Sequence, residues 1–368
     1  MMAWEAYQQI KKHLDDCKKP LIFFDDDPDG TCSFLLFYRY KKEGKGIPLK
    51  TAPKLDVSFA KFVKEYGPDK VFVLDIPMID QNFLDAVHEM HIPVVWVDHH
   101  TPLERRYVEY FNPRKENPSD STCTTANAYY TIISDDPEHS EQKKELWIAA
   151  VGGVADWQLP EYMEEFAEKY PKLLSKSIVK SKKPEKALFG SPLGRIVKIL
   201  SFTLKGKMGQ VMRAIKIMTR LEQPEELLEG TTSRGRFLLK SVEKTEEQYN
   251  ELLKRAAAQR SEDKFLIYTY TDKESSYTKE VSNELLYKFP NKIIVVGREK
   301  GGELKMSLRS KGIVIRPLVE AALQGVEGYG GGHEHACGAC IKMKDVPLFL
   351  DQLRKGVEEA EKQKKVTK

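Results

Sequence analysis

The chain has 368 residues, of which 41% are hydrophobic and 31% are charged, as is usual for soluble globular proteins. No run of about 18 apolar residues is present and the first residues are too polar for a secretory signal, so neither a membrane span nor secretion is expected. The 5 scattered cysteines argue against a disulfide framework. We therefore predict a cytoplasmic protein with room for two domains.

Positive charge is concentrated in one part of the chain. Residues 172–220, the basic segment, contain thirteen Lys and Arg and one acid, Glu185, so their net charge is about +12 against +4 for the whole chain. Such asymmetry is typical of a surface that binds a polyanion such as nucleic acid, although lysines on solvated helix faces would give the same pattern.

Three short apolar runs near the start each end at an aspartate. They are Leu21–Asp25, Val71–Asp75 and Val94–Asp98, with a helical pattern at Asn82–Met90 before the third. Continuous apolar runs predict strands buried on both faces, and hence a mostly parallel α/β sheet. The carboxyl ends of parallel strands meet at one edge, so the three aspartates should face a common crevice.

A fourth acidic position follows a helical pattern at Glu141–Val151. Gly152 and Gly153 are expected to form a turn that lets the backbone approach the crevice, with Asp156 just beyond it. From about residue 161 to 260 the pattern is helical, ending in a long amphipathic stretch.

Strand patterns resume in the last third of the chain, and the turn Glu299–Gly302 predicts that two of the strands form a hairpin. The strand patterns are Lys264–Tyr270, Lys292–Gly297, Leu304–Arg309 and Gly338–Met343, with a closing helix at Val346–Glu361. We predict a catalytic domain at 1–190, a helical connector at 191–260 and a smaller C-terminal α/β domain at 261–368.

The first aspartate cluster has the composition of a metal site. Asp25, Asp27 and Asp29 alternate, so an extended segment would direct them to one side. Asp75 should be placed to bridge two ions. Oxygen ligands with a few imidazoles favour Mn²⁺, or Mg²⁺, and two such ions about 3.5–4 Å apart can activate water and clamp a phosphoryl group. An Asp-rich turn alone is more often a solvated loop; the combination with Asp-His-His favours metal.

The Asp98-His99-His100 tripeptide suggests a division of labour. His99 is the better candidate for a metal ligand. Asp98 could either bind metal or, without binding it, fix a histidine tautomer through a hydrogen bond. His100 is then a candidate proton donor to the leaving group.

These acidic and histidine positions, with Asp98-His99-His100 as the defining motif, resemble the DHH phosphoesterase superfamily. Gly330-Gly331-Gly332-His333 resembles its associated C-terminal DHHA1 domain, and the Asp-x-Asp-x-Asp-Gly form is similar to RecJ-type nucleases, particularly archaeal ones. The resemblance implies that two ions are held by a common set of ligands: Asp25, Asp27, Asp29, Asp75, His99 and Asp156. Many members have a histidine where Phe23 stands, a position for which Asp25 could substitute.

The C-terminal motif also has a physical rationale. Glycines at 330–332 let backbone N–H groups approach a phosphate, and Ser307 and Arg309 should share one face of a strand. The resemblance makes Arg309 and His333 the expected substrate-phosphate ligands.

The leading hypothesis is a Mn²⁺-dependent exonuclease for single-stranded DNA, with RNA as an alternative substrate and 3′ to 5′ polarity, as in many compact relatives. A replication or repair helicase is a candidate partner, and no membrane association is expected. One alternative is a phosphoesterase for oligoribonucleotides, cyclic dinucleotides or 3′-phosphoadenosine phosphate. Another is a non-catalytic replication scaffold, which is disfavoured because all four acidic or histidine positions are present.

Overall fold

The computed structural model describes residues 1–50, 54–259, 263–271 and 276–366, which divide into two compact units, Met1–Val242 and Glu243–Lys368. The first unit is built on a parallel sheet and the second on a mixed sheet, so the predicted α/β fold class is confirmed.

The main sheet of the first unit has five strands in the order β2-β1-β4-β6-β7, all parallel. Its strands and those of a separate two-stranded ribbon are β1 (Pro20–Asp25), β2 (Lys45–Leu49), β3 (Lys54–Leu55), β4 (Lys70–Leu74), β5 (Met78–Ile79), β6 (Val94–Val97) and β7 (Glu109–Phe111). The three predicted runs are strands β1, β4 and β6, buried along almost their whole length. Their carboxyl ends therefore lie side by side in the sheet, as expected.

Helices cover this sheet and bring in the remaining polar residues. Those of the first 160 residues are α1 (Trp4–Asp16), α2 (Pro28–Lys41), α3 (Ala60–Tyr66), α4 (Gln81–Glu89), α5 (Thr124–Ile133) and α6 (Leu146–Ala155), with 3₁₀ turns at 57–59, 113–115 and 141–145. The predicted glycine turn is wrong, because Gly152 and Gly153 lie inside α6. A methyl group on Gly152 would overlap the side chain of Thr125 in α5, so this glycine permits close helix packing instead.

The predicted helical region follows as α7 (Met163–Lys169), α8 (Lys176–Lys180), α9 (Pro184–Gly190), α10 (Pro192–Leu204), α11 (Met208–Met218), α12 (Glu225–Glu229) and α13 (Ser233–Ala257). In the basic segment, all cations except Lys198 and Lys205 are exposed, while the apolar side chains of α10 and α11 are largely buried. In the described part of the chain, no single helix is long and apolar enough to cross a membrane. The pair α9 and α10, bent by 77°, meets that test by length and composition only.

The second unit has one five-stranded sheet in the order β11-β12-β10-β9-β8, antiparallel except for the β8–β9 pair. Its elements are β8 (Phe265–Thr271), α14 (Thr278–Lys288), β9 (Ile293–Lys300), β10 (Glu303–Arg309), α15 (Arg316–Ala322), β11 (Gly328–His333), β12 (Ala336–Lys342) and α16 (Val346–Val366). The hairpin between β9 and β10 is confirmed, with φ angles of 63° and 76° at Gly301 and Gly302. The glycine-rich motif forms edge strand β11 rather than a loop.

Candidate metal centre

The first aspartate cluster lies where β1 passes into α2. β1 ends at Asp25, and Asp27 is the N-cap of α2, its side chain accepting a hydrogen bond from the N–H of Gly30 at 3.0 Å. The expected extended segment is therefore wrong, because Pro28 already begins the helix, where its missing N–H is tolerated. A Cβ atom on Gly30 would lie 2.5 Å from the carbonyl oxygen of Asp25, so glycine is required for this tight passage.

Asp29 is held by the start of helix α5. It is only 2% exposed, and its carboxylate oxygens accept the backbone N–H groups of Thr124 and Thr125 at 3.0 and 2.8 Å. The side-chain hydroxyl of Thr125 also donates to the carbonyl oxygen of Asp29 at 2.9 Å. The positive end of the α5 dipole thus faces this carboxylate and stabilises its charge.

Asp75 occupies a sharp turn directly after β4. Its φ angle is 59°, a conformation that Asp and Asn tolerate better than other non-glycine residues. Its N–H donates to the carbonyl oxygen of Val97 at 3.0 Å, and its Oδ1 accepts a hydrogen bond from the hydroxyl of Thr124 at 3.0 Å. Asp75 is 2% exposed, so backbone and side-chain contacts both fix this buried carboxylate.

The imidazole of His99 lies among three carboxylates. Its Nε2 atom is 3.4 Å from Oδ1 of Asp75 and 3.8 Å from Oδ2 of Asp29. Its Nδ1 atom is 3.8 Å from Oδ2 of Asp156 and 3.2 Å from the carbonyl oxygen of Ser121. The four acidic and histidine positions that are distant in sequence therefore meet around this ring.

These residues form three overlapping groups in which one ligand atom of each member lies within 4.8 Å of the others. The groups are Asp25, Asp27 and Asp75; Asp75, His99 and His100; and Asp29, His99 and Asp156. Asp75 and His99 each belong to two groups. A carboxylate shared between neighbouring groups is what a pair of ions needs.

The electrostatics of the cluster fit cation binding. Burial and the charges of Asp27 and Asp26 raise the pKa of Asp25 to about 7. Burial also raises the pKa values of Asp29 and Asp75, and for Asp75 the neighbouring carboxylates add to the effect. Crowded, desolvated carboxylates are stabilised when cations neutralise them, and this set of oxygen and imidazole ligands suits Mn²⁺ or Mg²⁺.

As pH rises, we expect the affinity for Mn²⁺ to increase and the contribution of these carboxylates to the stability of the metal-free protein to decrease. Because carboxylates with raised pKa values bind more protons when folded, their contribution to the stability of the metal-free protein falls as pH rises from about 4 to 7. Mn²⁺ must displace those protons, so its affinity should rise over the same range, by about tenfold per pH unit for each proton displaced. Thermal melting with and without Mn²⁺ at acidic and neutral pH checks both signs. A Mn²⁺-induced shift in melting temperature that does not grow with pH would contradict this expectation.

Asp98 is fully buried, and both of its carboxylate oxygens form hydrogen bonds. Its Oδ1 lies 2.7 Å from Nδ1 of His100, and its Oδ2 accepts the N–H of His100 at 3.0 Å, the hydroxyl of Tyr110 at 3.2 Å and the amide of Asn112 at 3.3 Å. Burial alone would lower the pKa of His100, but the hydrogen bond to Asp98 and the nearby carboxylates raise it. These contacts suit an orienting partner for His100.

Several residues of the centre were missed by the sequence analysis. Thr124 contacts Asp75, Tyr110 and Asn112 contact Asp98, and Gln158 donates to Oδ2 of Asp156 at 2.8 Å. The one local signal was a polar residue, Asn112, directly after strand β7, the position that the predicted aspartates occupy after their strands. The others are neutral residues whose role depends on contacts distant in sequence.

Phe23 stands where the resemblance to the DHH superfamily implies a histidine in many members. Its side chain is fully buried in the core of the sheet, with edge-to-face contacts to Phe59 and Phe83 at ring-centroid distances of 6.1 and 5.8 Å. The ring belongs to a hydrophobic core cluster, and Asp25 is the β1 residue that lies within the ligand groups.

The predicted substrate-binding residues of the second unit lie on one face of its sheet. Arg309 and His333 both pair with Ala336 of β12, one from each side, and Ser307 and Gly331 both pair with Gly338. Residues in one cross-strand row share a face, so this places the side chains of Arg309 and His333 about 10 Å apart on the same side.

The two β10 side chains on this face contact helix α14. Ser307 donates to the hydroxyl of Thr278 at 3.1 Å, and Nε of Arg309 donates to Oδ1 of Asn283 at 2.6 Å. Nη1 of Arg309 also donates to the carbonyl oxygens of Leu308 and Cys337, and burial lowers the pKa of the guanidinium. Arg309 is thus held in place by neutral groups, with no carboxylate among these hydrogen-bond acceptors to neutralise it.

Two family models match separate parts of the chain. Residues 19–152 match the DHH family, N-terminal domain, and residues 262–359 match the DHHA1 domain. Comparison with curated protein sequences gives no match.

Solved structures share the fold at low sequence identity. RecJ from Thermus thermophilus in complex with Mn²⁺ is 15% identical with a TM-score of 0.60, and the alignment covers 97% of this chain and 54% of that chain. The Mg²⁺ complex from the same organism is 15% identical with a TM-score of 0.62, covering 97% and 52%. The pGpG-specific phosphodiesterase PggH from Vibrio cholerae is 14% identical with a TM-score of 0.50, covering 93% and 100%.

The chain thus spans about half the length of these RecJ chains. The order of the two matched domains agrees with the order of the carboxylate–histidine cluster and the glycine-rich strand. The chain belongs to the DHH phosphoesterase superfamily, with a DHH family N-terminal domain followed by a DHHA1 domain.

Proposed function

We propose that the protein is a metal-dependent exonuclease that hydrolyses phosphodiester bonds of single-stranded DNA from the 3′ end, with RNA as a second substrate. The observation that carries the proposal is Asp75, a buried carboxylate at the carboxyl edge of a parallel sheet that is grouped with Asp25 and Asp27 and also lies 3.4 Å from Nε2 of His99. Two Mn²⁺ or Mg²⁺ ions bound there would neutralise the scissile phosphate and activate water.

In this proposal, residues of the chain serve as metal ligands, as proton donor and as the partner that orients the proton donor. Asp25, Asp27, Asp29, Asp75, His99 and Asp156 are the ligands. His100 donates a proton from Nε2 to the leaving oxygen, while Asp98 holds its Nδ1 atom. The raised pKa of His100 favours the protonated ring that a general acid requires.

Charge near the cluster supports a nucleic-acid substrate. Burial raises the pKa of Asp26, whereas the positive charges of Lys50 and Lys205 lower it, so both lysines lie close to the carboxylate cluster. Lys205 belongs to the basic segment, whose other cations are largely exposed. We infer that this segment binds backbone phosphates and that Ser307, Arg309, His333 and the N–H groups of Gly330, Gly331 and Gly332 bind a further phosphate.

The proposal is tested by product analysis with a 5′-labelled single-stranded DNA of about 30 nucleotides and Mn²⁺, well above the site size of a single-strand binding groove. We expect a descending ladder from the wild-type protein and none from a double variant, Asp98→Ala with His99→Ala. Immediate release of labelled mononucleotide would reverse the polarity. Equal products from both proteins would show that the activity does not come from this centre.

A second candidate is a phosphodiesterase for dinucleotides. It is supported by the coverage of the whole of PggH, although a manganese-bound RecJ chain is likewise covered to 94%, in contrast to about half of the Thermus thermophilus RecJ. Salt dependence separates the two, because binding of a long strand to the basic segment should weaken steeply with salt, by about 0.7 logarithmic units per phosphate contact for each tenfold increase. Turnover of dinucleotides alone, with a shallow salt dependence, would favour the second candidate.

A further inference from the structure

The C-terminus of α6 contains a tryptophan in a position that normally belongs to glycine. The N–H of Trp157 donates to the carbonyl oxygen of Val154 at 3.1 Å, and the N–H of Gln158 donates to that of Gly153 at 2.8 Å. This pair of bonds is a Schellman motif, in which the residue after the C-cap is left-handed. The φ angle of Trp157 is accordingly 58°. Glycine would avoid the strain that a bulky side chain meets at positive φ.

The indole at this strained position is not used to fill the core. Trp157 is 40% exposed, whereas Trp96 and Trp147 are buried. Its one aromatic contact among the described residues is an edge-to-face arrangement with Phe189 of α9, at a ring-centroid distance of 5.7 Å. A large aromatic surface therefore stays open to solvent.

In the chain, Trp157 stands between two residues of the candidate metal centre. Trp157 follows Asp156, whose Oδ2 lies 3.8 Å from Nδ1 of His99, and precedes Gln158, which donates to the same oxygen. The tight turn thus fixes the indole one residue from a predicted metal ligand. By contrast Phe202, an aromatic residue within the basic segment, is buried.

We propose that Trp157 forms a stacking subsite for the nucleobase attached to the scissile phosphate. The inference rests on the proposed function, because it takes the ligand to be a nucleotide bound at the metal centre. Aromatic side chains stack on the face of any base, so the subsite would bind without sequence specificity and would favour purines through their larger area.

The test uses 5′-dAMP, which contains a base and a phosphate but no phosphodiester bond, with Mn²⁺ and full-length protein. The variants are Trp157→Gly and Trp157→Phe, and calorimetry gives the dissociation constants. We expect Trp157→Gly to weaken dAMP binding about 5- to 100-fold, the loss of one base–aromatic stack, and Trp157→Phe to retain most of the affinity. Deoxyribose 5-phosphate, which lacks the base, should bind equally to wild type and Trp157→Gly.

Tyr107 provides a matched control. It also has a positive φ angle, 63°, and is 47% exposed, but its ring stacks on His88 at 3.8 Å. Tyr107→Gly therefore relieves the same backbone strain and removes an exposed ring, and it should leave dAMP affinity unchanged. Quenching of indole fluorescence by dAMP should occur in the wild type and in Tyr107→Gly and be lost in both Trp157 variants.

The proposal is overturned if Trp157→Gly binds dAMP as tightly as the wild type. It is also overturned if the affinities of this variant for dAMP and for deoxyribose 5-phosphate fall by the same factor. A lower melting temperature in Trp157→Gly with unchanged dAMP affinity would instead assign the indole to packing against Phe189. Base-dependent dAMP binding without hydrolysis of DNA or dinucleotides would sustain the subsite while rejecting the proposed nuclease.

Discussion

Replacing Asp75 by asparagine is expected to lower Mn²⁺-dependent hydrolysis by about a hundredfold to a thousandfold, the loss typical when a preorganised group that stabilises transition-state charge is removed. The amide is a weaker ligand than a carboxylate, and Asp75 is shared by two ligand groups, so both ion positions should be affected. Initial rates at saturating Mn²⁺ and Mn²⁺ titrations by calorimetry measure the two effects.

The same substitution should not unfold the protein. Asparagine tolerates the left-handed conformation at this position, and its carbonyl oxygen can still accept the hydrogen bond from Thr124. Burial and neighbouring carboxylates raise the pKa of Asp75, which means that a charge at this position is unfavourable without metal. A neutral side chain of the same shape should therefore not destabilise the metal-free protein. We expect an unchanged or higher melting temperature without metal, and a smaller increase when Mn²⁺ is added.

Asp351→Asn is the matched control, because Asp351 lies in the second unit and pairs only with exposed Lys355 among the described contacts. It should change neither activity nor Mn²⁺ affinity. Full turnover by Asp75→Asn would rule out Asp75 as a bridging ligand.

Replacing Asp98 by asparagine is expected to reduce turnover by about a hundredfold while leaving Mn²⁺ affinity within about tenfold. Oδ2 of Asp98 accepts three donors, so the amide oxygen of asparagine would take this position and its NH₂ would face Nδ1 of His100. The imidazole of His100 would then lose the carboxylate acceptor that stabilises its protonated form. Replacing hydrogen bonds to a charged group by bonds to a neutral amide should also lower the free energy of unfolding by about 1–3 kcal/mol.

A change of leaving group separates proton donation from metal binding. A p-nitrophenyl phosphodiester needs little protonation of its leaving oxygen, so Asp98→Asn should slow its hydrolysis much less than that of DNA. Tyr110→Phe, which removes only one of the three donors, should give a smaller effect on both substrates. An equal loss on both substrates for Asp98→Asn would assign the residue to the metal site instead.

The sequence was most informative where strands end. The apolar runs before Asp25, Asp75 and Asp98 predicted buried parallel strands, because burial on both faces leaves no polar alternation, and the sheet then brings their ends together. The Asp-Pro pair at 27–28 carried a helix-start signal that outweighed the alternation of aspartates, and the extended segment was wrong for that reason.

Other features depend on contacts that a single sequence does not reveal. Gly152 and Gly153 read as a turn, but their purpose is set by the side chains of Thr125 and Tyr162, which occupy the space where Cβ atoms would be. Thr124 and Asn112 are uncharged and carry no metal-ligand signal, although they orient Asp75 and Asp98. Local patterns therefore predicted the candidate ligands but not the groups that position them.

The packing of Gly152 against Thr125 affects how mutation could change the candidate metal centre. Thr125 touches α6 with its side chain and holds Asp29 with its backbone N–H and its hydroxyl. A single methyl group added to Gly152 would displace this threonine and, with it, the carboxylate. The position of Asp29 relative to the other proposed ligands thus depends on an inter-helical gap in the hydrophobic interior, so we expect a substitution in α6 to alter ion selectivity while leaving every proposed ligand in place.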